Sequence, residues 1–184
     1  MAPKFEIIDS DPHFGRVIKY FRLSDYGAWA IGTVGMPGLF TALEYFDHNN
    51  GRAFTKPNGG VLRVTTLLGF IGGFFIAYNR STKRFWGISE NSREVQKDRY
   101  EIKSKLSKGE PLFGNSTLTP WLQGVASRNS KNSQLNLHLI PWFNLVSHNN
   151  HDIDLKKYYE VREGEEAWGF KLPPFEELKQ PTSV

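Results

Sequence analysis

Two apolar, glycine-rich stretches without charged side chains dominate the first half of the chain, at residues 26–43 and 64–78. Each stretch with its flanks supplies roughly 18 largely apolar residues, or about 27 Å of helix, which is close to the ~30 Å hydrocarbon layer of a bilayer. A short connection rich in turn-forming residues, 48–60, separates them. The pattern therefore predicts a helical hairpin that crosses a membrane twice, with spans at about 25–45 and 61–79.

The residues that flank the hairpin are typical of a membrane interface. Residues 13–23 place apolar side chains at helical spacing with cations between them, which predicts a short interfacial segment. Beyond the second stretch, Arg80, Lys83 and Arg84 are expected to hold anionic lipid headgroups such as those of cardiolipin. Because the cations outside the hairpin outnumber those in its loop, the positive-inside bias places both termini on the inner face.

Small residues line one face of each predicted span. They are Ala28, Gly32 and Gly35 in the first, and Gly69 and Gly73 in the second. Missing side chains let helix backbones approach closely where lipid supplies no hydrophobic drive. We therefore predict that these five residues dock the hairpin against a neighbouring helix.

The second half of the chain is polar and is expected to be largely irregular outside one charged helix, residues 91–108. Apolar side chains on that helix are limited to Val95, Ile102 and Leu106, so its other residues are expected to face solvent. The tail, residues 156–184, spaces aromatic residues among charges and prolines without helical or strand period. Such a segment orders most easily along a partner.

The predicted fold is thus mainly α and has three parts. Residues 1–23 form an N-terminal arm and interfacial segment, residues 24–80 the transmembrane helical hairpin, and residues 81–184 a largely irregular, partner-supported extramembrane extension that contains one charged helix.

Composition narrows the possible functions. The chain has no cysteine, which excludes disulfides, thiolate metal sites and a cysteine nucleophile. The net charge is +4, but the Lys and Arg residues are interleaved with Asp and Glu rather than gathered in a basic block, which argues against nucleic-acid binding. No phosphate-binding glycine loop or nucleophile elbow occurs. Asp25, Glu44 and Arg63 lie at span ends, which argues against ion translocation by this chain.

His148, His151 and Asp152 are the one group in the sequence with the residue types of a metal site. A membrane-tethered metalloenzyme that uses these three residues is therefore one alternative. The intervening Asn149 and Asn150 are typical of a loop and favour a hydrogen-bonded turn that fixes the tail.

Two parts of the sequence are distinctive as strings. One is residues 11–26, DPHFGRVIKYFRLSDY, and the other is residues 141–154, PWFNLVSHNNHDID, together with residues 124–130, GVASRNS. These segments resemble the fungal 21-kilodalton-class accessory subunits of mitochondrial respiratory complex I. The resemblance covers both halves of the chain in the same order. At residues 151–154 the chain has HDID in place of the more usual HGVD, so Asp152 stands at a glycine position.

The resemblance implies a subunit of the inner mitochondrial membrane that packs beside core and accessory subunits of the proton-pumping arm and contributes to assembly or stability. Other subunits would carry electrons from NADH to ubiquinone, and the resemblance implies no cofactor and no catalytic residue in this chain. The residues expected to dock on adjoining subunits are His13, Trp142, Phe143, Tyr158 and Trp168. A free-standing scaffold or assembly factor of the same membrane is a further alternative.

Overall fold

The structure of the protein is a computed structural model that describes residues 3–46, 58–136 and 143–175. Within these ranges the chain is mainly helical, as predicted, and no β-strand is assigned. The α-helices in chain order are α1 (Phe14–Lys19), α2 (Leu23–Phe46), α3 (Gly59–Phe85), α4 (Ser92–Lys108) and α5 (Pro120–Asn136), and two 3₁₀ helices follow at Leu155–Tyr158 and Glu166–Trp168. Most of the predicted hairpin loop, Trp142 and the end of the tail lie outside the described residues.

The chain divides into two compact units, and the boundary falls inside α3. Unit 1 comprises Met1–Lys19 together with Thr82–Val184, and unit 2 comprises Tyr20–Ser81. The N-terminal arm, which the sequence suggested as a separate part, therefore groups with the C-terminal extension.

Backbone hydrogen bonds attach the N-terminal arm to the end of α3. The amides of Lys4 and Phe5 both donate to the Gly87 carbonyl at 2.9 Å, and the Ile8 amide donates to the Phe85 carbonyl at 2.9 Å. Gly87 has a φ of +67°, and a Cβ at this position would lie 2.4 Å from the Phe5 carbonyl oxygen. Both the backbone conformation and the close approach of the arm therefore require glycine.

Unit 2 contains α2 and most of α3, which begin with side-chain caps. The Asp25 carboxylate accepts a hydrogen bond from the Arg22 amide at 2.8 Å, and the Asn58 side chain accepts one from the Gly60 amide at 2.9 Å. Each carboxylate or amide oxygen satisfies an N–H group that the first helical turn leaves without a partner. Helix α2 continues through Pro37.

Among the described helices, α3 alone combines the length and the composition needed to cross a membrane, with a mean hydropathy of 1.8 over its most apolar window. Helix α2 has 24 residues, but its glycines, threonines and Pro37 dilute its apolar side chains. The predicted two-span hairpin is therefore not confirmed.

Helix α4 confirms the predicted charged helix. Its C-terminal cap, Gly109, is left-handed with a φ of 67°, and its amide donates to the Leu106 carbonyl at 3.2 Å. The expectation that residues outside the apolar stripe face solvent is wrong for four of them, because Glu94, Asp98, Arg99 and Lys103 are buried.

The tail folds back on α4, so α4 supplies the surface that we expected a partner protein to supply. Ile102, Leu106 and Tyr158 form a buried cluster. Partly buried apolar residues pack around it, namely Leu112, Ile153, Leu155, Tyr159 and Leu172. Burial of these side chains is the hydrophobic gain that orders the described part of the tail.

Helix α5 lies where the sequence suggested irregular structure, so the expectation of one charged helix in the extension is wrong. The helix begins at Pro120, a residue favoured in the first helical position because its missing N–H would be unpaired there anyway. The Gln123 amide donates to the Thr119 carbonyl at 3.0 Å. The Thr119–Pro120 pair is thus a start signal that outweighs the polar composition of the segment.

Candidate functional site

Helices α2 and α3 pack as antiparallel neighbours through glycines. A Cβ built on Gly32 would lie 2.8 Å from the Gly73 Cα, and one built on Gly73 would lie 2.6 Å from the Trp29 carbonyl oxygen. A Cβ on Gly69 would lie 2.6 Å from the Gly32 carbonyl oxygen. These distances are too short for any side chain, so the three glycines set the separation of the two backbones.

This contact corrects part of the predicted docking face. Gly32, Gly69 and Gly73 contact the other helix of this chain, so their missing side chains make room for α2 or α3 and not for a further helix. Ala28 is half-buried. A Cβ on Gly35 would meet nothing within 4 Å among the described residues, and its docking against another protein stays a prediction.

Trp29 adds a polar and an aromatic contact to the same helix pair. Its indole nitrogen donates to the Phe70 carbonyl at 3.0 Å. Its ring packs on the rings of Phe70 and Phe74 at centroid distances of 5.0 and 5.1 Å. This hydrogen bond fixes the Trp29 ring against the backbone of α3, next to the close glycine contacts.

The three cations predicted to hold lipid headgroups have different surroundings. Arg80 forms an ion pair with Asp25, with 3.2 Å between Nε and Oδ1. Arg84 is buried and pairs with Glu94 at 3.4 Å, which corrects its assignment because a buried guanidinium is not accessible to a headgroup. Lys83 is exposed, and its contact with lipid stays a prediction.

A closed cluster of carboxylates and histidines joins the N-terminal arm to the loop after α5. His148 Nε2 lies 2.9 Å from Asp11 Oδ2, and His151 Nδ1 lies 2.9 Å from Asp9 Oδ1. Ser130 donates its hydroxyl to Asp11 Oδ1 at 2.7 Å. The four acidic and imidazole side chains are at most 5% exposed. Because these side chains are buried, a substrate has no access to them. Their contacts hold the N-terminal arm against the loop after α5.

Both ring nitrogens of His151 have hydrogen-bond partners. Its Nε2 lies 2.9 Å from the His148 carbonyl oxygen, and its Nδ1 lies 2.9 Å from Asp9 Oδ1. Burial alone would raise the pKa of Asp9, but His151 and the Arg16 guanidinium hold that pKa below its ordinary value.

Arg16 extends the cluster from α1 to α4. Its guanidinium pairs with Asp9 at 3.0 Å and also with Asp98. The other Asp98 oxygen accepts a hydrogen bond from the Tyr158 hydroxyl at 2.7 Å. Burial raises the pKa of Asp98, and burial next to this carboxylate raises the pKa of Tyr158. One arginine thus connects two carboxylates that no sequence pattern had brought together.

A second buried charge cluster fixes the tail on α4. Glu165 accepts hydrogen bonds from Arg99 Nη2 at 2.8 Å and from Lys103 Nζ at 2.6 Å. Arg99 also donates to the backbone carbonyls of Lys157 at 2.6 Å and Glu160 at 2.5 Å. The hydrogen bonds from Arg99 lower the pKa of Glu165 to about 2. The carboxylate is therefore ionised at any physiological pH.

Two of the predicted docking residues have internal roles in the structure. Tyr158 is buried in the core of unit 1, which corrects its assignment because a fully covered ring cannot meet another subunit. The His13 imidazole Nδ1 accepts a hydrogen bond from the Gly15 amide at 3.1 Å, at the start of α1. His13 is half-buried, so its docking stays a prediction, as does that of Trp142, which lies outside the described residues.

Phe143 and Trp168 keep part of their surface accessible. Phe143 packs edge to face on Phe14, with 5.3 Å between the ring centroids. Trp168 makes the same kind of contact with Tyr100 at 5.2 Å. Both rings are half-buried. Their docking on other subunits stays a prediction.

The residues of the alternative metal site are turned to other partners. His148 and His151 face the carboxylates of the arm, and Asp152 is exposed and pairs with Lys131. Within the described ranges, no group of three or more His, Cys, Asp or Glu side chains could hold a metal ion. The two histidines instead form the hydrogen-bonded turn that the sequence favoured.

The acidic partners of this turn, Asp9 and Asp11, and the buried Glu94 and Asp98 of α4 were not predicted from the sequence. One signal was present: Glu94 and Asp98 share the helical face of Val95 and Ile102, the apolar residues of α4. A carboxylate on a buried face requires a cation or another donor as its partner.

Comparison with known proteins places the chain beside proteins of one kind. A family model described as "NADH-ubiquinone oxidoreductase complex I, 21 kDa subunit" matches residues 2–90. A second, described as "C-terminal of NADH-ubiquinone oxidoreductase 21 kDa subunit", matches residues 99–183. The "NADH-ubiquinone oxidoreductase 20.9 kDa subunit" of Neurospora crassa is 44% identical over 161 residues, which is 88% of this chain and 84% of the relative.

Proposed function

The chain belongs to the family of the 21 kDa subunit of NADH-ubiquinone oxidoreductase complex I, and from this premise we propose that it is a non-catalytic accessory subunit of that complex. In this role it contributes to the assembly or stability of the proton-pumping arm in the inner mitochondrial membrane. The 44% identity to the Neurospora subunit, over most of both chains, carries the proposal. The closed carboxylate–histidine cluster supports the non-catalytic part, because it offers a substrate no access.

We further propose that α2 lies in the membrane beside α3. Its outer face exposes large apolar side chains, with Ile31 at 74% and Val34 at 71%. Leu39 and Leu43, further along the helix, are also exposed. Water contact of so many apolar side chains is unfavourable, whereas lipid or another membrane helix would cover them. Two antiparallel spans would then place both termini on one side, which the positive-inside bias assigns to the matrix.

The surfaces proposed for contact with other subunits are those that the chain leaves open. On α2 they include Gly35, and on unit 1 they include the accessible edges of Phe143 and Trp168. The two buried charge clusters fix the N-terminal arm and the tail within unit 1, which gives its surface a defined structure for such contacts. Lys83 remains the exposed cation proposed to meet lipid headgroups at the exit of α3.

Deleting the gene and restoring it on a plasmid separates an accessory role from a catalytic one. The expected result is less assembled complex I on native gels, with NADH oxidation by ubiquinone unchanged per assembled complex. A normal amount of complex whose turnover is lost would contradict the non-catalytic role. The matched control is the deletion strain that carries the empty plasmid.

A further inference from the structure

A groove of about 470 Å³ runs along the α2–α3 pair on the loop side of the glycine contact. Its walls are Thr33, Leu62, Arg63, Thr66, Leu67 and Phe70. Both threonine hydroxyls already donate to backbone carbonyls. Thr33 donates to the Trp29 carbonyl at 2.8 Å, and Thr66 donates to the Leu62 carbonyl at 2.7 Å. What remains along the groove is a surface of methyl groups, leucines and an aromatic ring.

Arg63 is the charged residue of this groove. It is exposed, and no residue in the described part of the chain forms an ion pair or hydrogen bond with its guanidinium. Arg80, at the other end of the apolar part of α3, is by contrast paired with Asp25. Among the described residues of unit 2, the guanidinium of Arg63 is therefore the anion-binding group available at this end.

The position of Arg63 along α3 matches the depth of a headgroup. Residues 64–79 carry no charge, so Arg63 and Arg80 bracket about 25 Å of uncharged helix at 1.5 Å per residue. A hydrocarbon layer of ~30 Å places both cations close to the interface, and a long arginine side chain reaches the phosphates from there. The groove extends from Arg63 toward the bilayer centre, through Leu67 to Phe70.

We propose that this groove binds an anionic diacyl phospholipid, with the lipid phosphate at Arg63 and one acyl chain along Leu67 and Phe70. The charge at one end selects an anion, and the apolar walls below it require an acyl chain on that anion. A free phosphate would leave the apolar walls uncovered, and a zwitterionic lipid would bring a second cation near Arg63. This inference rests on the proposed membrane location of α3.

Photolabelling of the full-length chain in phosphatidylcholine nanodiscs tests the proposal. One sample contains a small fraction of phosphatidylglycerol with a photoactivatable group in its acyl chain, and the other contains phosphatidylcholine with the same group. Labelled peptides are quantified by mass spectrometry. Residues 62–70 should be labelled about fivefold more by the anionic lipid, which corresponds to about 1 kcal/mol for one cation near the surface.

Three variants sharpen the result. Arg63→Gln should lower anionic labelling of residues 62–70 about fivefold, to the phosphatidylcholine value. Lys83→Gln removes an exposed cation at the far end of the same helix and should leave that labelling unchanged. Thr66→Phe fills the groove and should lower labelling by both lipids.

Two outcomes would overturn the site, and they are distinguishable. Equal labelling of the groove by both lipids in the unmodified chain refutes the anionic site but leaves α3 in the membrane, and this comparison needs no variant to fold. The absence of label on α3 from either lipid refutes the site together with the proposed membrane location.

Discussion

Replacement of Gly73 by alanine tests the close contact between α2 and α3. The added Cβ would lie 2.6 Å from the Trp29 carbonyl oxygen and 3.3 Å from the Trp29 Cα. The neighbouring Gly72 supplies a matched control, because a Cβ there would meet nothing within 4 Å among the described residues. Both substitutions add one methyl group to the same turn of α3.

The magnitude follows from the distance that the helices must yield. Relief of the Gly73 clash requires a separation of at least 3.4 Å in place of 2.6 Å, so the backbones must move apart by 3.4 − 2.6 = 0.8 Å. Overpacking of this kind costs about 1–3 kcal/mol. Alanine also gains about 1 kcal/mol of helix propensity over glycine. Because Gly72→Ala has the same gain, the difference between the variants isolates the clash at about 1–3 kcal/mol.

Because the chain has no cysteine, a single introduced cysteine can report on the opening of the helix pair. Thr65 lies one turn before Gly69 on the same face of α3 and is 3% exposed. A Thr65→Cys chain in detergent micelles is modified by a maleimide when the helix pair opens. Adding Gly73→Ala should raise the modification rate roughly five- to 150-fold relative to adding Gly72→Ala. Equal rates in the two double variants would refute the assigned glycine contact.

In denaturant titrations, Glu165→Gln should lower the free energy of unfolding by about 3–5 kcal/mol, because Arg99 and Lys103 lose their buried charged partner. As a control, Lys131→Gln removes a cation from an exposed ion pair and should lower the free energy of unfolding by less than about 1 kcal/mol. The folded pKa of Glu165, about 2, lies below its ordinary value of 4.5. The stability it contributes is therefore fully present above pH 4.5 and is lost as the pH falls toward 2, so acid unfolding monitored by circular dichroism should be less steep in the Glu165→Gln variant. Asp152 has a φ of +50°, so Asp152→Gly should be about 1 kcal/mol more stable than Asp152→Ala in thermal unfolding, and equal stability would contradict strain at this position.

The helices of the first half could be predicted because their signals are local. Apolar length defines α2 and α3, and the polar turn residues after α2 limit the first of them. The end of α4 at Gly109 follows from a left-handed glycine cap. The polar composition of the α5 segment suggested irregular structure, although the Thr119–Pro120 pair marks a helix start, because proline is favoured in the first helical turn.

The carboxylate–histidine cluster could not be predicted from the sequence because its partners lie far apart in the chain. His148 is separated from Asp11 by 137 positions, and His151 from Asp9 by 142. No periodic pattern carries a pairing of this range. Likewise, the glycine spacing in α2 and α3 indicates close packing but does not state which helix is the neighbour.

The left-handed backbone at Asp152 shows what the family resemblance added. The resemblance to HGVD implies a glycine where this chain has Asp152, and the structure gives this residue a φ of +50°. Aspartate tolerates the left-handed region better than most residues, so the turn is kept without glycine. Asp152 therefore has a left-handed backbone of the kind that glycine favours.

Quantitative mass spectrometry of intact, purified complex I tests the proposed accessory role most directly. The account predicts that this chain is present in the mature complex at the same molar amount as the core membrane-arm subunits. Its absence from the mature complex, together with its presence in partly assembled intermediates, would contradict a resident subunit and identify an assembly factor instead.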